Sequence, residues 1–186
     1  MVIAVPLAIG VALATTVFLP RRLRGPVAAV VDLLAAVPSV VYGLWGVAVL
    51  VPAILPALEW VAGHNLGIGL LAGPATAYSY LVSGLVLAIM VLPIVAAITR
   101  EVLLTVPREQ QEAAYALGAT RWEMVRSAML PWARSGIVGA SALGLGRAVG
   151  ETIALALLLG NSPGVLDSLL GPGATLASVI ALEFNE

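Results

Sequence analysis

The chain has 186 residues, of which 61% are hydrophobic and only 10% charged, with a formal net charge of −1. A soluble domain carries about 25% charged residues, so this composition excludes a water-soluble globular fold, and the near-neutral balance excludes a basic nucleic-acid-binding surface. The absence of cysteine excludes disulfides, thiolate catalysis and thiolate metal sites, and His64, the only histidine, excludes a multi-histidine metal centre.

Four apolar stretches follow one another, at 1–19, 27–51, 78–99 and 135–160. Each is long enough to cross about 30 Å of hydrocarbon at roughly 1.5 Å per helical residue. Backbone polar groups in lipid must be satisfied internally, which predicts helices. Pro6, Pro38 and Pro93 fall inside these spans and are expected to kink them rather than end them. Met1 starts inside an apolar run with no charged region before it, and ALEFNE closes the tail with no returning helix. The expectation is therefore a sequence short of a span at each end.

The connecting segments give the orientation. Arg21, Arg22 and Arg24 lie in the loop 20–26, and Arg100, Arg108, Arg121, Arg126 and Arg134 lie in 100–134. The loop 52–77 and the tail 161–186 contain no arginine. By the positive-inside rule the two arginine-bearing loops are cytoplasmic, and the other two segments are external. All nine basic residues are arginine. A phosphate-binding P-loop needs a lysine, so if ATP drives this protein, it binds on another polypeptide.

Between the third and fourth spans lies TVPREQQEAAYALGATRWEMVRSAMLP. Pro107 and Glu109 suit a first helical turn, and Gly118 suits a left-handed stop. Thr120-Arg-Trp-Glu123 reads as a capping box that restarts the chain as a second helix. Trp122, Val125 and Met129 are expected to share one apolar face. The segment 107–131 thus reads as a helix–turn–helix. An interfacial amphipathic helix would need a more uniformly basic polar face than one carrying Glu109, Glu112 and Glu123.

The fourth span holds Arg147 and Glu151 at i, i+4, spaced to pair on one helix face near mid-membrane. Intramembrane ionisable residues mark functional paths by default, although a buried pair can also serve packing alone. Two readings stay open: an anion path using both residues, or an ion pair holding the bundle. Small residues run along the same helix in two rows, Gly136, Ala140, Gly144, Ala148 and Ala142, Gly146, Gly150, Ala154, which permit close helix–helix approach.

The pattern E-A-A-x3-G with a distal L-P is met by Glu112, Ala113, Ala114, Gly118, Leu130 and Pro131. It resembles the EAA loop of ABC importer permeases, the type-1 or MetI-like family. Ala128 departs from that family's usual isoleucine. Further stretches, DLLAAVPSVVYGLWG, LGLGRAVGETIALALLLGN and GATLASVIALEF, resemble the phosphate-transporting PstC-type branch. The resemblance implies an all-α polytopic transmembrane bundle with six core helices, of which four are expected here. It implies a coupling loop, its elbow shaped by Thr120 and Glu123, that docks on a separate ATPase. The implied partners are a second, PstA-like permease, two PstB-like ATPase subunits and a PstS-like external phosphate-binding protein. No cofactor or metal is expected on this chain, since ATP and Mg would sit on the ATPase. The implied location is the plasma membrane, with the coupling loop in the cytoplasm. A permease for sulfate or molybdate is the alternative within the family, and an ATP-independent transporter or membrane scaffold the alternative outside it. No H-E-x-x-H or G-x-S-x-G motif suggests an intramembrane enzyme.

Overall fold

Pro20, Pro38 and Pro107 each stand directly before a helix of this chain. A computed structural model describes residues 1–64, 75–160, 162 and 168–183. The described residues form helices and no strand: α1 (Ala4–Phe18), α2 (Arg21–Ala36), α3 (Ser39–Gly63), α4 (Tyr80–Leu104), α5 (Arg108–Ala116), α6 (Arg121–Val149), α7 (Ile153–Leu159) and α8 (Leu176–Glu183). Among them α3 and α4 are long and apolar enough to cross a membrane. The interrupted pair α6–α7 makes a third if it is one span, and α1 is shorter.

This differs from four uninterrupted spans in three places. The stretch 27–51 is divided between α2 and α3 at Val37–Pro38. Pro38 is extended, with φ −59° and ψ 140°, and caps α3; a residue ahead of proline is pushed out of the helical region. Pro38 therefore ends one helix and starts the next, whereas Pro6 and Pro93 lie inside α1 and α4. The expected loop 52–77 is helical as far as Gly63. A π-helical turn at Gly46–Leu50 precedes Pro52 and Pro56, and such local widening accommodates carbonyls that proline leaves without a donor. The rest of that loop, 65–74, and residues 161, 163–167 and 184–186 of the tail lie outside the described residues. Third, the stretch 135–160 breaks at Gly150–Thr152.

The chain divides into two units, Met1–Ala36 with Val91–Arg147, and Val37–Met90 with Ala148–Glu186. In the first, Ala12 and Leu13 of α1, Leu103 and Val106 at the end of α4, and Met124, Val125, Met129 and Ala133 of α6 form one buried cluster. The first small-residue row of α6 lies against α4. A Cβ on Gly136 would come within 2.5 Å of Val102, and one on Gly144 within 2.7 Å of Val95. The second row is divided: Ala142 and Gly146 are exposed, and a Cβ on Gly146 would meet nothing within 4 Å among the described residues, whereas Ala154 is buried.

In the second unit α3 packs on α7. Leu155, Leu158 and Leu159 are buried there with Val82, Val86 and Met90 of α4. The segment after residue 168 closes the start of α4, with Tyr80 and Leu81 N–H donating to the carbonyls of Gly171 and Leu169 at 3.3 and 2.9 Å. Thr175 and Ser178 exchange hydrogen bonds that cap α8.

Candidate functional site

The helix–turn–helix is built as its residues require. The Ala119 N–H donates to the Ala114 carbonyl at 3.1 Å and the Gly118 N–H to the Tyr115 carbonyl at 2.9 Å. This pair of bonds closes α5 in a Schellman motif. Gly118 has φ +84°, a conformation that residues with a Cβ rarely adopt. The Thr120 Oγ1 then accepts the Glu123 N–H at 3.4 Å while Glu123 Oε2 accepts the Thr120 N–H at 2.7 Å, a complete capping box for α6. Glu123 lies in the polar first turn, ahead of the apolar run of α6. The N–H and hydroxyl of Thr120 hold its carboxyl below the usual carboxylate range.

The buried face of α6 is Met124, Val125, Met129 and Ala133, not a stripe that includes Trp122. Trp122 is 55% exposed, because the helix restarts only at Arg121 and leaves its first turn projecting. Ala114 and Leu130 pack partly against the core cluster, whereas Glu112, Ala113 and Pro131 are exposed. Together Ala113, Ala114, Leu117, Ala128, Pro131 and Trp132 line a groove of 520 Å³. Ala113 and Ala114 of the E-A-A end and Pro131 of the L-P end, far apart in sequence, therefore face one depression. Ala128 also lines it, and its small side chain leaves more of the groove open than an isoleucine would. Leu117 at its edge is 90% exposed, an apolar side chain held out at a tight turn. Sequence pattern did not single out Leu117; the sign was an apolar residue directly before a helix-stopping glycine, whereas Trp132 read as an aromatic near a membrane boundary.

The charged residues of the fourth stretch occupy different surroundings. Arg147 lies in the last turn of α6, and its Nε is buried with no hydrogen-bond partner among the described residues. Among the described residues the ion pairs all involve Arg100. Glu151 is 8% exposed, and its Oε1 accepts the Ala154 N–H at 3.3 Å. The i, i+4 pairing needed an unbroken helix, and the helix stops at Val149. Glu151 instead supplies an acceptor to a first-turn N–H of α7 that would otherwise be unpaired in an apolar setting. The signal for this was present in Gly150-Glu151-Thr152, a helix-weakening glycine followed by a carboxylate acceptor and a capping-type threonine.

A second charged contact was visible in the sequence only as two separate residues. Arg100 near the end of α4 meets Asp32 of α2 at 3.3 Å and Glu101 at 2.9 Å. Two further stretches singled out above also come together. In α3, a Cβ on Gly43 would lie 2.9 Å from the Ala154 Cα, and one on Gly46 would lie 3.0 Å from Val86 and 3.2 Å from Leu158. The glycines of VPSVVYGLWG thus admit the helix that follows GRAVGET.

Residues 4–181 match the family described as binding-protein-dependent transport system inner membrane component. The whole chain is 47% identical to a phosphate transport system permease protein PstC of Xylella fastidiosa, covering 59% of that protein. It is 48% identical to PstC 2 of Mycobacterium bovis and 42% identical to PstC of Pasteurella multocida, covering 59% and 60% of them. The chain therefore spans about three-fifths of the length of these relatives.

Proposed function

This chain belongs to the family of binding-protein-dependent transport system inner membrane components, a multi-pass membrane protein of the ABC permease class, and from that membership we propose that it moves inorganic phosphate as a permease subunit of an ATP-driven importer. Identity of 42–48% along the whole chain to proteins named as phosphate permeases supports the substrate. The segment 107–131 is the coupling element and faces the cytoplasm. The observation that carries this role is the exposed apolar groove between α5 and α6, which brings the two ends of the EAA pattern to one surface.

An ATPase subunit seats in that groove, with Ala113 and Ala114 allowing close approach and Leu117 inserting into the partner. Glu112 adds a charge at the edge. ATP and Mg are held by the ATPase, and this chain performs no covalent step. The other partners are a second PstA-like permease, a second ATPase copy and an external PstS-like phosphate-binding protein. Closure of the ATPases pulls on the capped elbow, and α6 carries that movement to Arg147. Because the elbow is fixed by two hydrogen-bonded caps and rooted in the buried Met124–Val125–Met129 cluster, it transmits force rather than flexing.

Arg147, with its Nε unpartnered among the described residues, contacts the anion along the translocation path, and Glu151 sets the break after α6. The test is uptake of radiolabelled phosphate in cells lacking their own importer, with sulfate and molybdate as competitors. Glu112→Lys should abolish ATPase co-purification and phosphate uptake together. An ATPase that still co-purifies would reject the coupling role, and sulfate uptake in place of phosphate would reject the substrate.

A further inference from the structure

A second cavity of the first unit has no part in the coupling groove, and its electrostatics call for an anion. It measures 730 Å³, within the roughly 300–1,000 Å³ of sites that enclose drug-sized ligands. Arg21, Arg24, Arg108 and Arg121 line it together with Gln111 and Tyr115, and none of its described lining residues is acidic. Three of these arginines open helices: Arg21 begins α2, Arg108 begins α5 and Arg121 begins α6. A helix N-terminus carries about half a positive charge and favours carboxylates there, so arginine at three converging N-termini stacks like charge on like charge.

Nothing among the described residues neutralises them. Arg21, Arg108 and Arg121 make no ion pair among the described residues. Arg24 is committed differently, its Nε and Nη2 donating to the carbonyls of Leu19 and Val17 at 2.8 and 3.0 Å. Glu109 and Glu123 sit in the first turns of α5 and α6 but do not line the cavity, and the Glu123 carboxylate is engaged by Thr120. The α5 N-terminus has no side-chain cap. Below the arginines, Leu103, Val106, Met124 and Met129 form an apolar floor.

We infer that this cavity binds a phosphate-bearing anion through Arg21, Arg108 and Arg121. The chemistry is that of a phosphate oxyanion held by guanidinium forks, and it is met by an anionic phospholipid headgroup or by free inorganic phosphate. The inference rests on the cavity's own charges and not on the transport reading, so its readout is binding rather than uptake.

The experiment uses the full chain in neutral detergent, stripped of lipid, in two arms. In the first, phosphatidylglycerol and phosphatidylcholine are offered in equal amounts, and retained lipid is counted by native mass spectrometry. In the second, inorganic phosphate is titrated and followed by calorimetry. The double variant R108Q/R121Q is compared with R22Q, whose arginine does not line the cavity. Wild type and R22Q should bind one arm's ligand. The double variant should lose roughly tenfold or more of that affinity, since each arginine near an anionic surface contributes about a fivefold factor. Preference for phosphatidylglycerol assigns the site to lipid, and binding in the phosphate arm alone assigns it to the free ion. No preference of wild type for phosphatidylglycerol together with no phosphate binding overturns the inference without relying on any variant. Equal loss in R22Q and the double variant overturns it as well.

Discussion

Gly43 of α3 lies against Ala154 of α7 so closely that a Cβ placed on it would stand 2.9 Å from the Ala154 Cα. The obstacle is backbone, which cannot rotate aside as the end of a side chain can. Gly43→Val should therefore force α3 and α7 apart and cost about 1–3 kcal/mol. Gly146→Ala, where the added Cβ meets nothing within 4 Å among the described residues, should leave stability unchanged or raise it, since alanine is the better helix former by about 0.5–1 kcal/mol. Melting of the detergent-solubilised protein ranks the two; a Gly43 variant as stable as wild type would contradict the close packing.

The elbow offers a paired test. Gly118→Ala places a Cβ at φ +84° and should cost about 1–2 kcal/mol. Thr120→Ala removes the acceptor for the Glu123 N–H and should cost about 0.5–2 kcal/mol. Both losses should appear as faster amide exchange confined to 113–124. Exchange that rises equally throughout the chain would mean that the elbow has no local stability of its own.

Glu151 separates the capping role from the charge. Glu151→Ala leaves the Ala154 N–H without its acceptor and should destabilise by about 1 kcal/mol. Glu151→Gln keeps an oxygen at the same place and should hold most of that stability. If glutamine proves as damaging as alanine to melting, the carboxylate is needed for its charge, and the assignment as a cap fails.

For Arg147, the expected outcome of Arg147→Ala is loss of phosphate uptake with the transporter still assembled. Uptake counts combined with co-purification of the partner subunits make the distinction. Assembly lost along with uptake would return this arginine to a purely structural role.

Leu117→Glu tests the groove without disturbing a packed residue, because this side chain is 90% exposed. Melting should be unaltered while ATPase co-purification falls. Unchanged co-purification would move the docking surface elsewhere.

The residues alone determined the membrane setting, the helical class and the construction of the elbow. Those depend on bulk apolarity and on local rules. A stopping glycine, a capping threonine and a glutamate three residues later act over a single turn, and the geometry at Gly118, Thr120 and Glu123 follows from neighbours a few positions away. The same locality explains what the reading of spans missed. Apolar content does not reveal that Val37–Pro38 separates two helices or that α3 runs on through Pro52 and Pro56 to Gly63. Those outcomes depend on how each proline's missing donor is absorbed.

Only the tertiary structure decided which small residues of two similar rows are packed, because Val95 and Val102 approach Gly144 and Gly136 from α4 and Gly43 meets Ala154, while among the described residues nothing comes within 4 Å of a Cβ on Gly146. It likewise decided that α6 ends at Val149 and that Glu151 serves the Ala154 N–H, since a spacing of four residues makes a pair only where the helix is continuous. Sequence spacing fixes who can meet along one helix; contacts between helices are set by three-dimensional packing, and no local period encodes them.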